Sequence, residues 1–448
     1  MGSVSDLTIR FVRTVMAVVI GVIAGPAYSK ALVVPTEPVP PNPATHVNLP
    51  PEIASPPAQP LYQPGEGLTV SMLNGSSTLK LSAAFSLLGI SATERPFVPW
   101  NPLFLLPRSP FGLNTNSFEM HGRQSSLQAA FSGPEVAGFT PGALAKLYLI
   151  SGSLTSDSYG ILPVVAFADL KNDRWRLSAG LQPDLFAPRD PNVIPVSLLG
   201  GSGNPGTFRG QLRVEHFINP SESFQTTLQV ALGDPTTTVL IDNSRRSTEG
   251  NGWPNVEARV LFGVGENAER IGGRKERTAE LGVGGVIGQI RNTRLVFDLE
   301  ELNDPSPPRR TAQVWGVSVD GKLNLTERFG VAGEFYTGQA LGSYAANIFQ
   351  TFNPVTYAPV RGSGGWGEVF VYLNDQLHLH TGYGVEVPVR GDLGPTGIAR
   401  NETFFTTLFW NATKAIQLSF EVDYRRTDFV GLADNNGLVF YSQLLWRF

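Results

Sequence analysis

The chain contains no cysteine, which excludes disulfide frameworks, thiolate metal sites and cysteine nucleophiles. Charged residues make up only 16% of its 448 residues, a small share for a soluble enzyme. The formal net charge is -4 and no basic cluster is evident, so we predict no nucleic-acid partner. Hydrophobic residues reach 42%, too many for an intrinsically disordered chain. These values indicate a folded protein, part of whose surface does not face water.

Long apolar runs are also missing, because no later stretch approaches about 18 consecutive apolar residues, which excludes a helical membrane protein. One short apolar run, Val15–Ala24, follows two arginines and precedes the small residues Ala27 and Ser29. This arrangement is typical of a secretory signal peptide. About ten apolar residues cannot span roughly 30 Å of hydrocarbon. We therefore predict that residues 1–29 are a cleaved signal peptide.

Residues 30–67 are rich in proline and poor in charge. Prolines occupy positions 35, 38, 40, 41, 43, 50, 51, 56, 57, 60 and 64. Proline at this density favours an extended polyproline II spacer over a packed domain. We interpret the segment as a periplasmic linker, with a recognition arm for a periplasmic partner or peptidoglycan as the alternative.

From residue 68 onward, apolar and polar residues alternate in stretches separated by clusters of Gly, Pro, Asn, Asp and Ser. Alternation of this kind predicts β-strands with one apolar and one polar face. The clearest stretches are residues 174–184, 209–215, 224–232, 377–387 and 416–425. Both a soluble sandwich and a membrane barrel have strands of this type.

Three details favour the barrel. The predicted strands are about 10 to 14 residues long, enough to cross a bilayer when tilted, whereas strands of soluble sheets average about 5 to 6. Short turns alternate with long loops, as in outer-membrane barrels. The sequence ends in a predicted strand with the aromatic residue Phe448, which resembles the signal that the barrel assembly machinery recognises. We predict an outer-membrane β-barrel over residues 68–448, with the lipid bilayer and this machinery as partners.

Counting the alternating stretches gives an odd number of predicted strands, whereas single-chain bacterial barrels have an even number. Leu295–Glu301 is the weakest stretch, since charged residues interrupt it and prolines follow, and we assign it to an outer loop. The predicted fold class is all-β, an antiparallel transmembrane barrel of sixteen strands, large enough to leave an aqueous channel. The predicted strands lie near residues 78–88, 117–131, 143–151, 161–170, 174–185, 208–218, 223–233, 254–264, 278–291, 311–325, 328–339, 366–374, 376–388, 402–411, 414–427 and 438–448.

Two runs resemble a known family. Phe118–Ser125 reads FEMHGRQS, and Phe208–Pro235 reads FRGQLRVEHFINPSESFQTTLQVALGDP. Both resemble the DcaP-type trimeric porins, in which an Arg-Gln-Ser strand precedes a Gly-Leu/Gly-Gln strand, a long loop and a strand pair; here Arg123–Ser125 and Gly180–Gln182 hold these places. The resemblance covers roughly residues 78–325 and implies a homotrimer of sixteen-stranded barrels with a pore in each subunit. The coiled-coil segment that often precedes the barrel in that family is replaced here by the proline-rich segment.

The sequence contains no complete catalytic motif of the kinds considered below. Gly316–Lys322 has the glycine and lysine spacing of a phosphate loop, but Leu323 replaces the required Ser or Thr. No Gly-x-Ser-x-Gly nucleophile elbow occurs. His378 and His380 share one strand face and could offer two metal ligands, but we interpret them as part of a wet lumen wall. We predict no enzymatic activity, no metal and no cofactor.

The predicted function is an outer-membrane porin for passive diffusion of small hydrophilic solutes. A non-conducting structural or adhesion barrel is the first alternative, and a barrel enzyme such as a lipid hydrolase is the second. The predicted pore-lining residues are Glu119, His121, Arg123, Arg174, Arg176, Arg209, Arg213 and Glu215. Arginines outnumber acids over the first six strands, which indicates a positive wall, with mutual pairing of the charges as the alternative.

The predicted third outer loop, residues 186–207, is far longer than a hairpin needs. It carries an apolar run, Val193–Leu199, that should not be left in water, and several glycines that let the backbone turn back. We predict that it folds into the lumen and narrows the pore, with Arg189 and Asp190 nearest the passing solute. Packing on a neighbouring subunit or capping the rim is the alternative.

Overall fold

A computed structural model describes residues 61–63, 65–72, 75–112, 116–151, 157–236, 248–292 and 311–448. The predicted signal peptide and most of the predicted linker lie outside the described residues, as does the segment Leu295–Glu301. Within the described ranges, no helix is long and apolar enough to cross a membrane.

The described chain is built from β-strands and three short 3-10 turns, at Leu341–Tyr344, Asn347–Phe349 and Arg390–Asp392. In chain order the strands are β1 (Leu61–Gln63), β2 (Gly67–Met72), β3 (Ser77–Ala92), β4 (Ser117–His121), β5 (Ser126–Ser132), β6 (Thr140–Tyr148), β7 (Leu162–Lys171), β8 (Trp175–Pro183), β9 (Phe208–Ser221), β10 (Phe224–Gly233), β11 (Thr248–Gly250), β12 (Asn255–Val264), β13 (Ala268–Arg270), β14 (Arg274–Glu276), β15 (Ala279–Asn292), β16 (Thr311–Asn324), β17 (Phe329–Gln339), β18 (Arg361–Tyr372), β19 (Leu377–Pro388), β20 (Ile398–Asn411), β21 (Ile416–Phe429) and β22 (Asn435–Arg447).

The wall is a closed antiparallel barrel. Each wall strand pairs with the next, and β22 pairs with β3, which closes the sheet. Both β4 and β5 pair with β3 and form one interrupted wall strand. The short strands β1, β2 and β11 and the separate β13–β14 hairpin add no wall position. The closed wall therefore has sixteen strands, which confirms the predicted fold class.

Side chains alternate across the wall as the sequence predicts. On β21, Phe420, Val422 and Tyr424 point outward and are 51%, 42% and 43% exposed, whereas Glu421 and Asp423 between them are buried on the inward face. Successive side chains of a strand point to opposite faces, so one strand presents an apolar surface outside and a polar surface inside. The polar interior follows directly from this period of two.

The sheet closes where the two ends of the wall meet. The backbone N–H of Phe448 donates to the oxygen of Ala83 (2.8 Å), and the N–H of Ala83 donates to the oxygen of Phe448 (3.1 Å). Beyond this point β2 takes the neighbouring place, pairing with the first residues of β3, and β1 pairs with β2. The last residues of the predicted linker, Leu61–Gln63 and Gly67, thus belong to a hairpin on the wall.

Several strand boundaries differ from the predicted ones. β18 and β20 begin at Arg361 and Ile398, before the predicted starts at residues 366 and 402, because glycines and inward polar residues obscure the alternation there. The predicted strand over residues 117–131 is interrupted, since Gly122 and Ser125 close a turn through a 3.0 Å backbone hydrogen bond. The Arg-Gln-Ser run that carries the family resemblance lies in this interruption.

Candidate functional site

The connection between β8 and β9, residues 184–207, lies inside the barrel and is here called the inward loop. Its return limb lies directly against the wall at Gly203, which has φ +110°. A Cβ at this position would lie 2.2 Å from the carbonyl oxygen of Gly365 on β18. Only glycine combines this backbone conformation with such a close approach. The predicted inward folding of the loop is therefore observed.

Five buried glutamates hold the inward loop. They are Glu257, Glu334, Glu368, Glu386 and Glu421, here called the acidic row, on β12, β17, β18, β19 and β21. Each accepts a hydrogen bond from the loop backbone: Leu185 N–H to Glu257 (2.6 Å), Arg189 N–H to Glu334 (3.0 Å), Asn192 N–H to Glu368 (3.0 Å), Gly203 N–H to Glu386 (3.2 Å) and Ile194 N–H to Glu421 (2.7 Å). A buried polar group without a hydrogen-bond partner costs free energy, and the five N–H groups supply partners for these carboxyl oxygens. The acidic row therefore fixes the path of the loop.

The two predicted constriction residues point in different directions. The Arg189 side chain is 15% exposed and donates to Asp320 (3.0 Å) and Glu280 (3.0 Å), so it faces the wall. The Asp190 side chain is exposed within the lumen and accepts from the Asn204 amide (3.3 Å). Water reaches its carboxyl group, yet desolvation by the surrounding protein raises the pKa of Asp190, and the Asn204 hydrogen bond opposes this rise. Their proximity to a passing solute stays a prediction.

The apolar run of the inward loop packs against wall side chains. Val193 and Leu199 contact Trp366 and Phe405, which face inward from β18 and β20. Ile194 joins a second cluster at the junction of β3 and β22. Burying an aliphatic side chain contributes on the order of 1.5–3 kcal/mol, so this run stabilises the inward position. The apolar packing and the acidic row act on the same segment.

Two other outer connections also fold inward, and the sequence interpretation missed both. In the connection from β3 to β4, the Leu103 oxygen accepts from Arg425 (3.2 Å), and the Leu105 N–H donates to Thr427 (3.0 Å). In the connection from β17 to β18, the Ile348 N–H donates to Glu386 of the acidic row (2.5 Å). Their apolar residues were the available signal, because exposed loop tips seldom carry such runs.

The three inward connections leave a narrow gap between them. It is lined by residues that include Leu103, Asp190, Val196, Phe208 and Phe349, and its volume is about 110 Å³. One water molecule occupies roughly 30 Å³ of liquid, and pockets for drug-sized ligands hold roughly 300–1,000 Å³. The gap has room for a few water-sized molecules and is smaller than a typical ligand pocket.

Arginines line the opposite part of the wall. Arg176 on β8 and Arg209 and Arg213 on β9 are here called the basic row. The Arg176 side chain is 23% exposed and pairs with Asp169 (2.6 Å) and Glu215 (3.0 Å). These acids come from the neighbouring strands β7 and β9, so the pairing is local to the wall.

The other two members of the basic row are buried. Arg209 pairs with Asp184 (2.5 Å), and its guanidinium group lies 3.8 Å from the centre of the Tyr344 ring. Arg213 donates to the Pro183 oxygen and, at 2.9 Å, to the Gln211 side chain. In this conformation both arginines fasten the ends of the inward loop and its neighbours, and water does not reach Arg209.

Three of the remaining predicted pore-lining residues lie on β4 and in the interruption that follows it. Arg123 pairs with Asp157 (2.9 Å), and its guanidinium group lies 5.2 Å and 4.8 Å from the ring centres of Trp100 and Tyr159. A ring nitrogen of His121 lies 3.0 Å from the Trp100 oxygen. These contacts tie outer connections to the wall. The third residue, Glu119, points inward from β4 and is half-buried.

Arg174 occupies a different position, in the exposed turn between β7 and β8. The structure therefore separates it from the basic row, at the end of the barrel that carries the short turns.

The two histidines on β19 are packed in a stack of rings. His378 lies between Tyr372 and Phe409, at ring-centre distances of 4.7 Å and 4.9 Å. Its Nδ1 lies 2.9 Å from Nε2 of His380. In the part of the chain that the structure describes, no group of three or more His, Asp or Glu side chains is placed to hold a metal ion.

A closed sixteen-stranded barrel with an apolar exterior, a polar interior and an inward third loop defines the porin class of folds. No family model and no curated protein sequence match the chain. The outer membrane channel DcaP of Acinetobacter baumannii is similar in structure, with a TM-score of 0.63 and 13% identity, over 86% of this chain and 100% of that chain. This similarity confirms the fold that the sequence resemblance implied.

Two further solved structures are similar. They are an anion-selective porin from Comamonas acidovorans (TM-score 0.52, 8% identity, 83% of this chain and 100% of that chain) and OmpT, an outer membrane protein of Vibrio cholerae (TM-score 0.50, 10% identity, 83% of this chain and 98% of that chain). At such identities the similarity is one of fold.

Proposed function

We propose that the chain is a porin of the bacterial outer membrane, through which small hydrophilic solutes diffuse passively. The observation that carries the proposal is the inward loop, which narrows the lumen of a closed barrel without filling the polar part of the wall. Inward side chains that stay partly exposed there include Gln128, Lys146, Arg176, Gln225 and Gln229. The names of similar structures, an outer membrane channel and an anion-selective porin, support the same function.

The proposed path enters through the gap between the inward connections and continues along the basic side of the lumen. Asp190 and Arg176 are charges that water reaches on this path, whereas the acidic row is hidden behind the loop. The inward loop sets the width of the passage, and the polar wall hydrates the solute beyond it. Both roles follow from position, and neither involves chemistry on the solute.

Single-channel recording in planar bilayers tests the proposal. We expect stable, ohmic conductance steps from the purified barrel and swelling of liposomes in small sugars or amino acids. A heat-modifiable, folded barrel that gives no conductance would establish the non-conducting structural or adhesion barrel instead. Hydrolysis of membrane lipids by the purified protein would favour a barrel enzyme, a class for which the motifs give no support.

We also infer a homotrimer, with outward strands β3–β8 as the contact between subunits. The outward face there carries small residues, among them Ala129, Ala143, Ala145, Ala168 and Ala179. No outward side chain of β3–β8 is charged among the strand residues described. A flat apolar sector suits a repeated contact between identical subunits. Native mass spectrometry in mild detergent should give a trimer, and a monomer would contradict the inference.

The N-terminal boundaries complete the proposal. Removal of residues 1–29 would leave the proline-rich residues 30–60 of the predicted linker as a periplasmic segment before the hairpin of β1 and β2. Intact mass measurement of the protein purified from outer membranes tests this directly, since the expected N-terminus is residue 30. Capture by the barrel assembly machinery through the strand that ends in Phe448 would be weakened by Phe448→Ala, with less barrel in the outer membrane as the readout.

A further inference from the structure

The outward wall changes from apolar to charged at the outer ends of β18–β21. On β20 the outward residues beyond Phe404 are Glu402 and Arg400. The register places Arg426 of β21 opposite Glu402, and Asp428 opposite Arg400. All four point away from the lumen, where a barrel wall meets lipid. A charged group just beyond the apolar band lies at the level of the lipid headgroups.

The charges form ion pairs in which the arginine faces outward. The pairs are Arg361–Asp392 (2.7 Å), Arg400–Glu402 (2.5 Å) and Arg426–Asp428 (2.8 Å). The arginine side chains are 55%, 43% and 44% exposed, whereas the carboxylate side chains are 16%, 12% and 18% exposed. The carboxylates therefore lie against the wall and orient the guanidinium groups outward. Arg390 adds a fourth exposed guanidinium, which contacts the Phe429 oxygen (3.5 Å).

The same level of the wall is different elsewhere. On β15–β17 the outward polar residues at this level include the amides Gln289, Gln313 and Gln339, which are linked by hydrogen bonds, and the single arginine Arg291 at the end of β15. On β3–β8 the described outward strand residues are uncharged. If the headgroup level required only polar side chains, amides would be sufficient there. Four guanidinium groups lie at the outer ends of β18–β21, against one on β15–β17, and this difference favours an anionic partner.

We propose that this surface, Arg361, Arg400 and Arg426 with their carboxylates, binds the phosphate groups of an anionic lipid in the outer leaflet. Arginine presents five N–H donors in a planar fork that matches phosphate. The ion pair with Asp428 engages Nε of Arg426, so it does not use the two terminal nitrogens of this guanidinium group. The Tyr383 hydroxyl contacts both Glu402 and Arg400, and a tyrosine at this level is typical of a membrane interface.

The proposal rests on the proposed membrane location and not on conduction. The probe is diphosphoryl lipid A, titrated into the full-length protein in mild detergent and followed by native mass spectrometry. Phosphatidylcholine and inorganic phosphate serve as comparison ligands. The test variant is Arg400→Gln/Arg426→Gln, and the matched control is Gln289→Ala/Gln313→Ala on the amide part of the same belt. Heat-modifiable migration and single-channel conductance are recorded for every variant.

We expect the arginine variant to bind diphosphoryl lipid A at least tenfold more weakly, with unchanged conductance, and the amide control to bind as the native protein does. A third variant, Glu402→Gln/Asp428→Asn, removes the carboxylates and keeps the arginines, so its lipid affinity should be retained or increased. Equal lipid binding by the arginine variant would overturn the proposal. So would equal binding of phosphatidylcholine, binding of inorganic phosphate alone, or loss of affinity in the carboxylate variant.

Discussion

The acidic row and the basic row line the same lumen and differ in most of their partners, although Arg209 and Glu257 also pair with each other at 3.7 Å. The acidic row accepts N–H groups from the backbone of the inward loop, across the lumen from its own strands. The basic row pairs within its own neighbourhood, as when Arg176 binds Asp169 and Glu215. Backbone donors satisfy a buried carboxylate without adding a charge. The acidic row therefore holds the inward loop through its backbone, whereas the basic row binds wall groups and, at Asp184, the first residue of that loop.

This difference shows that the charged residues on a barrel wall do not by themselves determine which charges a passing solute meets. All five glutamates of the acidic row are buried behind the loop, although they are the most concentrated acids of the lumen. Arg176 stays partly exposed although it is paired. Variants of the inward loop, the acidic row and the basic row should therefore change conductance and ion selectivity in different ways.

Deleting Asn192–Gly203 removes the part of the inward loop that crosses the lumen. The acidic row would then face open water, and the passage would widen toward the bare wall. We expect single-channel conductance to rise at least about twofold, with normal heat-modifiable migration of the barrel. Unchanged conductance in the folded deletion variant would show that the loop does not set the pore width.

The double variant Glu386→Ala/Glu421→Ala removes two of the loop's carboxylate partners. The N–H groups of Gly203, Ile348 and Ile194 lose their acceptors, which costs about 1–3 kcal/mol for each buried donor left unsatisfied. We expect frequent conductance fluctuations toward the level of the deletion variant. The control is Ser419→Ala on the same inward face of β21, which should behave as the native protein.

Gly203→Ala tests the close approach of the return limb to the wall. Its Cβ would meet the Gly365 oxygen, and alanine is strained at φ +110°. We expect a displaced limb, more current noise and a modest rise in conductance. Gly210→Ala is the matched control, because the space around a Cβ there is open. Equal recordings from the two variants would contradict the contact.

Arg176→Gln removes a positive charge from the exposed part of the basic row. Asp169 and Glu215 would lose their shared partner, and the wall would become more negative. We expect the reversal potential in a salt gradient to shift toward cation preference, with conductance changed by less than about twofold. Arg174→Gln, in the exposed turn, should shift it less. The opposite order would show that the path does not follow the basic row.

Acidification should neutralise Asp190 before an ordinary aspartate, because desolvation raises the pKa of its carboxyl group. The protonated form dominates below the pKa, so the lumen loses one negative charge as the pH falls. We expect a small shift of the reversal potential toward anion preference on mild acidification. The Asp190→Asn variant should show a smaller shift over the same pH interval, and an identical titration would exclude Asp190 as a charge met by the solute.

The sequence predicted the wall well because each wall strand carries its own signal. Alternation on β8, β10, β19 and β21 follows from burial on one face of a strand, which neighbouring residues determine. The apolar run Val193–Leu199 likewise predicted that the third outer loop folds inward, since no exposed position suits it. The break between β4 and β5 left a signal that the sequence interpretation missed, because the outward apolar residues shift from even positions (Phe118, Met120) to odd positions (Leu127, Phe131) across Gly122.

The site was less predictable than the wall. Arg209 and Arg213 face inward, as their odd positions on β9 predict. The sequence could not show that Tyr344 and the ends of the inward loop cover them. Glu421 carried no sign that its partner would be the backbone of Ile194, 227 residues away. Such partners are set by which segments meet inside the closed barrel, and backbone donors leave no trace in the sequence.

By itself the sequence determined the all-β barrel, the inward face of most strands and the need to bury one outer loop. These properties depend on periods of two residues and on local composition. The tertiary structure decided which charges water reaches, because closing the sheet brings distant strands and three outer connections into one enclosed space. Burial and hydrogen bonding in that space determine whether a charge holds a loop, holds the wall or faces the solute.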